Sequence, residues 1–260
     1  MTYDEALAFI HDTRYRGGKD GIKHMRVLAE RLGNPQNKVP MIHVAGTNGK
    51  GSVCAYLQSM LRAAGYRVGL FTSPFLERYN ERMRIDGVPI PDEALVRHAE
   101  RVAQAVWELR EEGVYPTEFE INTAIAFLYY AHERVDIAVI EVGLGGRFDS
   151  TNIITPLVGV ITTIGLDHTK LLGNTLGQIA FEKAGIAKKN VPLVLYPDAP
   201  DEVVESVSSV CQDVGAPLVR LPSGCVRLMA QTAQGSVFRF ANGCFQDWQI
   251  SIEIPGAHQV

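Results

Sequence analysis

The chain has 260 residues, 46% of them hydrophobic and 21% charged, with a formal net charge of −4. These values are typical of a globular protein with a substantial core, and the lack of excess positive charge argues against nucleic acid as a partner. No apolar run approaches the roughly 18 to 20 residues of a membrane-spanning helix, so no membrane partner is expected. The four cysteines lack metal-type spacing, and scattered thiols favour a cytoplasmic protein.

Predicted helices and strands alternate along most of the chain. They are helices at 4–12 and 22–32, a strand at 41–45, a helix at 50–64, a strand at 67–71, helices at 92–112 and 118–132, strands at 136–142 and 157–164, a helix at 175–187, a strand at 191–196 and a helix at 201–214. This order predicts an α/β fold, a mostly parallel sheet with helices on both faces. From Leu218 onward, short alternating runs predict a small antiparallel β extension.

A glycine-rich turn joins the strand at 41–45 to the following helix. It consists of Gly46, Thr47, Asn48, Gly49, Lys50, Gly51 and Ser52. Glycines let backbone N–H groups close on a phosphate, and the helix N-terminus adds a positive dipole. A lysine can then reach the terminal phosphates while a serine hydroxyl faces magnesium. Gly51, placed between Lys50 and Ser52, departs from the usual phosphate-loop pattern, and a plain connecting turn is the alternative interpretation.

Two other predicted strands also end in polar residues. Glu141 ends one strand and is followed by glycines, Arg147 and Asp149, whereas Asp167 and His168 follow the next strand. In open α/β sheets, ligands bind beyond the carboxyl ends of the strands. A carboxylate there is typical of a magnesium–phosphate site. The alternative for His168 is a structural or solvated loop residue.

Seven short motifs in one order resemble the folylpolyglutamate synthase and dihydrofolate synthase family of the Mur ligase superfamily. They are the glycine-rich turn at 46–52, Thr72-Ser73-Pro74, Glu81-Arg82, Thr117-Glu118-Phe119-Glu120, Glu141 to Asn152, Asp167-His168 and Glu182-Lys183-Ala184-Gly185-Ile186. The resemblance is strongest over residues 39–190. Members of this family carry the inserted glycine that breaks the generic phosphate-loop pattern.

The resemblance implies a ligase that uses ATP and Mg²⁺ and makes an amide. Phosphoryl transfer to a carboxylate of folate or dihydropteroate would give an acyl phosphate, which the amine of L-glutamate attacks. ATP would bind residues 46–52, and magnesium would bind Ser73, Glu141 and His168. The folate-contacting residues would be Thr117, Glu118, Phe119, Glu120, Phe148, Asp149 and Ser150.

Several of these residues have ordinary structural alternatives. Thr117 and Glu120 are spaced as a helix capping box, and both interpretations can hold together. Phe119 alone would be assigned to a helix core, and Ser73 alone to a turn before Pro74.

The resemblance also implies that Lys50, His168 and Lys183 act in catalysis, with Lys183 carboxylated to a carbamate. This modification converts a cation into an anion that can help to hold magnesium. It requires a neutral amine, so the site must lower the pKa of the lysine or trap the carbamate. The alternative is a solvated lysine on a helix.

Two features depart from the family pattern. Phe75 stands where many relatives have His, which we interpret as a mark of a subtype. The segment 255–260 resembles the start of a linker to a second α/β ligase domain. We therefore divide one ATP-binding domain, 1–260, into a core over 1–216, a β subdomain over 217–254 and the linker start at 255–260. We expect a shortened chain or an interrupted gene, a monomer, weak ATP binding and little or no folate turnover.

Two other functions stay open at this point. Another ligase of the superfamily, such as a cell-wall peptide ligase, would share the phosphate loop, the glutamate, the histidine and the lysine. A nucleotide-binding module without catalysis would need the phosphate loop alone. A kinase is less favoured, since no base is evident for a hydroxyl acceptor.

Overall fold

Eleven strands and eight α-helices are seen in the computed structural model, which describes residues 1–12, 22–222, 224–241 and 247–256. The helices are α1 (Tyr3–Ile10), α2 (Lys23–Arg31), α3 (Lys50–Ala63), α4 (Asp92–Glu111), α5 (Glu118–Glu133), α6 (Thr169–Leu172), α7 (Leu176–Ala184) and α8 (Asp201–Val214). The strands are β1 (Met41–Ala45), β2 (Val68–Phe71), β3 (Met83–Ile85), β4 (Val88–Pro89), β5 (Ile137–Glu141), β6 (Val158–Ile161), β7 (Leu193–Leu195), β8 (Leu218–Arg220), β9 (Val226–Thr232), β10 (Gly235–Phe240) and β11 (Gln249–Ile252).

The main sheet has eight strands in the order β4-β3-β2-β5-β1-β6-β7-β8. The strands from β2 to β8 in this order pair in parallel, and β3 and β4 extend the β2 edge in antiparallel fashion. The predicted mostly parallel α/β sheet is confirmed. Because β5 and β6 flank β1, the carboxyl ends of these strands lie side by side.

Alternate residues of the central strands face two different helical layers. Ile42, Val44 and Val139 belong to a buried cluster with Cys54 of α3. Their neighbours Met41 and Ile140 belong to a larger cluster with α4 and α5. This alternation follows from the period of two along a strand, and it places helices on both faces of the sheet.

A second, three-stranded sheet has the antiparallel order β11-β10-β9. The predicted β extension is therefore present, but its boundary at residue 217 is wrong. Strand β8 pairs in parallel with β7 and belongs to the main sheet, so the small sheet starts at Val226. The short helix α6 and the β3–β4 hairpin were not predicted. Residues 257–260 of the predicted linker start lie outside the described residues.

No helix in the described ranges has both the length and the apolar character needed to cross a bilayer.

His98 is a buried titratable residue on α4. The residue is 4% exposed, its ring lies 5.4 Å from the ring of His132, and Nε2 has no hydrogen-bond partner among the described residues. Burial, followed by the positive charges of His132 and neighbouring arginines, lowers the pKa of His98 to about 4. His98 is therefore neutral in the folded protein at pH 7.

This lowered pKa predicts a pH-dependent stability. Between about pH 6.5 and 4 the unfolded chain binds a proton at His98 that the folded chain does not, so the free energy of unfolding falls with pH by on the order of 2 kcal/mol. Chemical unfolding at pH 7 and pH 5 measures this loss, and His98→Leu should reduce it. The control variant His11→Gln, at an exposed position, should retain the full loss. A loss between pH 7 and pH 5 that is as large in His98→Leu as in the original chain would contradict the prediction.

Candidate active site

The loops that follow β1, β5 and β6 meet at one edge of the sheet. The loop after β1 is fixed to the end of β6, because Thr47 N–H donates to the Thr163 carbonyl at 2.8 Å. The Thr162 hydroxyl donates to the Asn48 carbonyl, also at 2.8 Å. The outer side of the glycine-rich turn is thus held by two threonines that sequence analysis missed. The sequence feature that could have indicated them is the pair of hydroxyl residues directly after an apolar strand.

Helix α3 begins at the end of this turn. Gly49 is its N-cap, with φ +82°, and the first intrahelical bond runs from Val53 N–H to the Gly49 carbonyl at 2.9 Å. The N–H groups of the first helical turn, at residues 50–52, have no acceptor within an α-helix. They carry the positive end of the helix dipole, so this turn presents hydrogen-bond donors suited to an anion.

Two glycines of the turn differ in their surroundings. Gly46 has φ +154°, and a Cβ there would lie 1.8 Å from Oγ1 of Thr162. Gly51 has open space around its Cα. Gly46 is thus needed for packing within the protein, whereas the space beside Gly51 leaves room for a ligand.

Two lysine ammonium groups converge on the carbonyl of Gly46. Lys50 Nζ donates to it and to the Thr47 carbonyl, each at 3.1 Å, and Lys183 Nζ donates to Gly46 at 2.8 Å. Lys183 is only 5% exposed. Burial and then the positive charge of Lys50 lower the pKa of Lys183 to about 8. The alternative of a solvated Lys183 is therefore wrong.

The last turn of α7 carries Lys183 and packs against the loop after β5. Arg147 N–H donates to the Glu182 carbonyl at 2.8 Å, and its guanidinium lies 4.1 Å from the centre of the Phe181 ring. A Cβ on Gly146 would lie 2.7 Å from the Lys183 carbonyl. This close approach positions the lysine.

Glu141 and Ser73 are brought together, as the motifs predicted. Glu141 is 5% exposed, and its Oε2 accepts from Ser73 N–H at 3.0 Å. Burial raises the pKa of Glu141, and the Ser73 N–H and the charge of Lys50 act against this rise. A buried carboxylate suits a hard cation such as Mg²⁺, and the backbone contact with Ser73 places that residue beside it.

The described residues include no group of three His, Cys, Asp or Glu side chains that could enclose a metal by themselves. Magnesium commonly binds one or two carboxylates and completes its shell with water and phosphate oxygens. Glu141 and Ser73 therefore fit an ion that is also held by a nucleotide.

His168 lies on a neighbouring loop but is not joined to Glu141 or Ser73. It is exposed, with φ +47°, at the N-cap of α6, and its Nε2 lies 3.6 Å from Oδ2 of Asp167. Thr47 Oγ1 connects this loop to the glycine-rich turn through the N–H and carbonyl of Gly165, each at 3.1 Å. The metal and catalytic roles of His168 stay predictions.

The start of α5 is a capping box. Glu120 N–H donates to Thr117 Oγ1 at 3.2 Å, and Thr117 N–H donates to Glu120 Oε2 at 2.7 Å. The capping interpretation is confirmed. Glu120 is 4% exposed and its Oε2 serves the cap, so this residue supports the helix, and its folate contact stays a prediction.

Phe119 and Glu118, also at the start of α5, contact other side chains of the chain. The ring of Phe119 lies 5.9 Å from that of Phe71, and a Cβ on Gly143 would lie 2.5 Å from it. Glu118 Oε1 lies 3.0 Å from Nδ1 of His11. Phe119 therefore packs between the core and the loop after β5, which puts it beside the candidate site.

Phe148, Asp149 and Ser150 differ sharply in exposure. Phe148 is 64% exposed, Ser150 is half-buried and Asp149 is buried. The Asp149 carboxylate accepts from the N–H groups of Leu144 at 2.8 Å and Thr151 at 3.0 Å. Asp149 thus closes its own loop, and the folate contacts of these three residues stay predictions.

A buried polar chain that the sequence did not reveal links this loop to β1. The Thr151 hydroxyl donates to Asp149, and His43 Nε2 lies 2.8 Å from Thr151 Oγ1. With its proton committed to Asp149, the hydroxyl accepts from His43, which must carry its proton on Nε2. His43 appeared in the sequence as one polar residue in an apolar strand.

The two glycines yield a prediction. Gly46→Ala should lower the free energy of unfolding by about 1 to 3 kcal/mol, because the methyl group overlaps Thr162. Gly51→Ala, the matched control, should change it by less than about 0.5 kcal/mol. Denaturant unfolding of both variants checks this difference; equal stabilities would contradict the close approach at Gly46.

Comparisons with known proteins identify the family of this chain. Residues 44–260 match the Mur ligase middle domain. The chain is 44% identical to the dihydrofolate synthase/folylpolyglutamate synthase of Bacillus subtilis, over 99% of this chain and 60% of the relative. It is 48% identical to a folylpolyglutamate synthase of Lacticaseibacillus casei, over 80% of this chain and 50% of the relative.

A solved FPGS–AMPPCP–folate complex superposes with a TM-score of 0.90 at 39% identity, covering 100% of this chain and 64% of that one. The chain thus spans about half to two thirds of these proteins. It belongs to the Mur ligase family and is a homologue of the folylpolyglutamate and dihydrofolate synthases.

Proposed function

We propose that this chain binds ATP with Mg²⁺ and takes part in the addition of L-glutamate to a carboxylate of folate. The observation that carries the proposal is the convergence of Lys50 and Lys183 on the Gly46 carbonyl, beside the first turn of α3. The names of the relatives, folylpolyglutamate synthase and dihydrofolate synthase, favour folate or dihydropteroate over a cell-wall peptide.

The phosphates of ATP would occupy the turn at 46–52. Its free N–H groups, the helix dipole and the ammonium of Lys50 all favour negative charge there. Glu141 and Ser73, with His168 as the proposed third ligand, would hold Mg²⁺, which supplies charge neutralisation for the transferred phosphoryl group.

The chemical difficulty is the approach of one anion to another. In the proposed reaction a substrate carboxylate oxygen attacks the γ-phosphorus, the bond to the β–γ bridging oxygen breaks, and ADP leaves. The amine of L-glutamate then attacks the acyl carbon, loses a proton and displaces phosphate. Lys50 would reduce the repulsion in the first step, and positioning supplies much of the remaining rate.

The nucleotide site can be tested by binding to this chain. Lys50→Ala should weaken Mg-ATP binding at least about tenfold, or roughly 1.4 kcal/mol, because it removes the cation beside the phosphates. Isothermal titration calorimetry measures the affinity. Lys189→Ala, at an exposed position, is the control. Equal affinities for the original chain and Lys50→Ala would contradict the proposed site.

Carboxylation of Lys183 is the second test. With a pKa of about 8, its amine is neutral in a large fraction of molecules at pH 8, as carbamate formation requires. Carboxylation would also replace the repulsion between Lys183 and Lys50 by attraction. We therefore propose that Lys183 is a carbamate in the active protein.

Nuclear magnetic resonance with ¹³C-bicarbonate should show a carbamate signal that strengthens from pH 7 to pH 8.5 and is lost in Lys183→Arg. Lys188→Arg is a sharp control, because the pKa of Lys188 is also about 8 but the residue bonds to Asn152 instead of Gly46. A signal that survives in Lys183→Arg, or disappears in Lys188→Arg, would contradict the assignment.

A further inference from the structure

A cavity of about 460 Å³ lies at the end of the sheet away from the glycine-rich turn. Its lining includes Asn37, which ends the 3₁₀ turn before β1, and Thr155, which precedes β6. The turn at 46–52 follows β1 at the opposite end of the strand. The cavity is therefore at the amino ends of the central strands and is distinct from the proposed nucleotide site.

Two cationic side chains from different elements line this cavity. Arg26 comes from α2, and Lys188 comes from the segment after α7. Lys188 Nζ donates to the backbone carbonyl and to Oδ1 of Asn152, both at 2.9 Å, which leaves its third N–H for another acceptor. In the described part of the chain, the Arg26 guanidinium forms no ion pair.

The two cations repel each other at this position. Burial, and then the charge of Arg26, lower the pKa of Lys188 to about 8. The acidic residue in the described lining is Glu30, one helical turn after Arg26, and neither cation pairs with it. The cavity therefore has a local surplus of positive charge and unused N–H donors.

Amide groups complete the lining. Gln36 is 9% exposed; its Nε2 donates to Oδ1 of Asn34 at 3.0 Å, and its Oε1 has no hydrogen-bond partner in the part of the chain that the structure describes. Together with Asn37, these groups supply neutral donors and acceptors beside the two cations. Such a lining suits a ligand that has polar groups besides its charge.

We propose that this cavity binds a small organic anion through a phosphate or carboxylate group held between Arg26 and Lys188. Its volume lies within the range of about 300 to 1,000 Å³ common to small-molecule sites, which leaves room for a ligand larger than a bare ion. Guanidinium and ammonium groups are the usual partners of both anionic groups.

A bound anion would also be connected to the support of Lys183. Asn152, which accepts from Lys188, donates through Nδ2 to the carbonyls of Arg147 at 2.9 Å and Gly185 at 3.0 Å. These carbonyls belong to the loop after β5 and to the end of α7. An anion beside Lys188 would favour its charged form, the form that donates to Asn152.

The test is a titration of the ¹⁵N-labelled chain with glycerol 3-phosphate and, separately, with succinate. We expect saturable shifts of the Asn34 and Asn37 side-chain amides at millimolar concentration with at least one probe. Saturation by glycerol 3-phosphate alone identifies a phosphate site, by succinate alone a carboxylate site, and by both a general anion site.

Arg26→Gln should weaken the binding about tenfold, and the control Lys189→Gln, outside the cavity lining, should leave it unchanged. Arg26 is exposed, so its replacement should preserve the fold, which thermal unfolding verifies. Lys188→Met is a second variant with the same expected loss. The absence of saturable shifts with both probes, or equal affinity in Arg26→Gln, would overturn the proposal. Neither result depends on Mg-ATP binding.

Discussion

Two positively charged side chains share one backbone oxygen at the centre of this molecule. Lys50 is the first residue of α3 and lies four residues after Gly46, whereas Lys183 lies 137 residues after it; both ammonium groups donate to the Gly46 carbonyl. Burial and then the charge of Lys50 lower the pKa of Lys183 to about 8, so holding the two ammonium groups together costs free energy. The fold brings both ammonium groups onto one carbonyl oxygen, an arrangement that favours an added negative charge beside them.

Contacts from the surrounding loops fix the two segments that carry Lys50 and Lys183. On one side the hydroxyl of Thr162 and the backbone of Thr163 hold the glycine-rich turn. On the other side Arg147 stacks on Phe181 and bonds to the backbone of the last turn of α7. Since the strands β1, β5 and β6 are adjacent and parallel, a short loop from each suffices to close the site.

Local sequence patterns predicted the central elements well. The apolar run ending at Ala45 and the glycines after it identified β1 and the start of α3, and the spacing of Thr117 and Glu120 identified the cap of α5. Each of these features depends on residues within a few positions of one another. The pairing of β8 with β7 escaped prediction, because three residues of strand carry too little pattern to distinguish parallel from antiparallel neighbours.

The less predictable part of the site depends on contacts between distant residues. Whether a carboxylate faces a ligand or its own loop is decided by the fold, and Asp149 faces its own loop while Glu141 faces Ser73 and Lys50. Motif spacing cannot separate these cases. Nor could it show that His43, in an apolar strand, donates to Thr151.

The pKa values of Lys183 and Lys188 are lowered by the same physical causes, although the two side chains lie at opposite ends of the main sheet. Burial and a neighbouring cation lower both pKa values to about 8, although the overall net charge of the chain is −4. The surplus of positive charge at each place is thus a product of folding rather than of composition. Lys183 bonds to Gly46 beside the carboxyl end of β1, and Lys188 bonds to Asn152 near its amino end. Residues 184–187 separate the two lysines, and within this segment the Gly185 carbonyl accepts from Asn152, the same residue to which Lys188 donates.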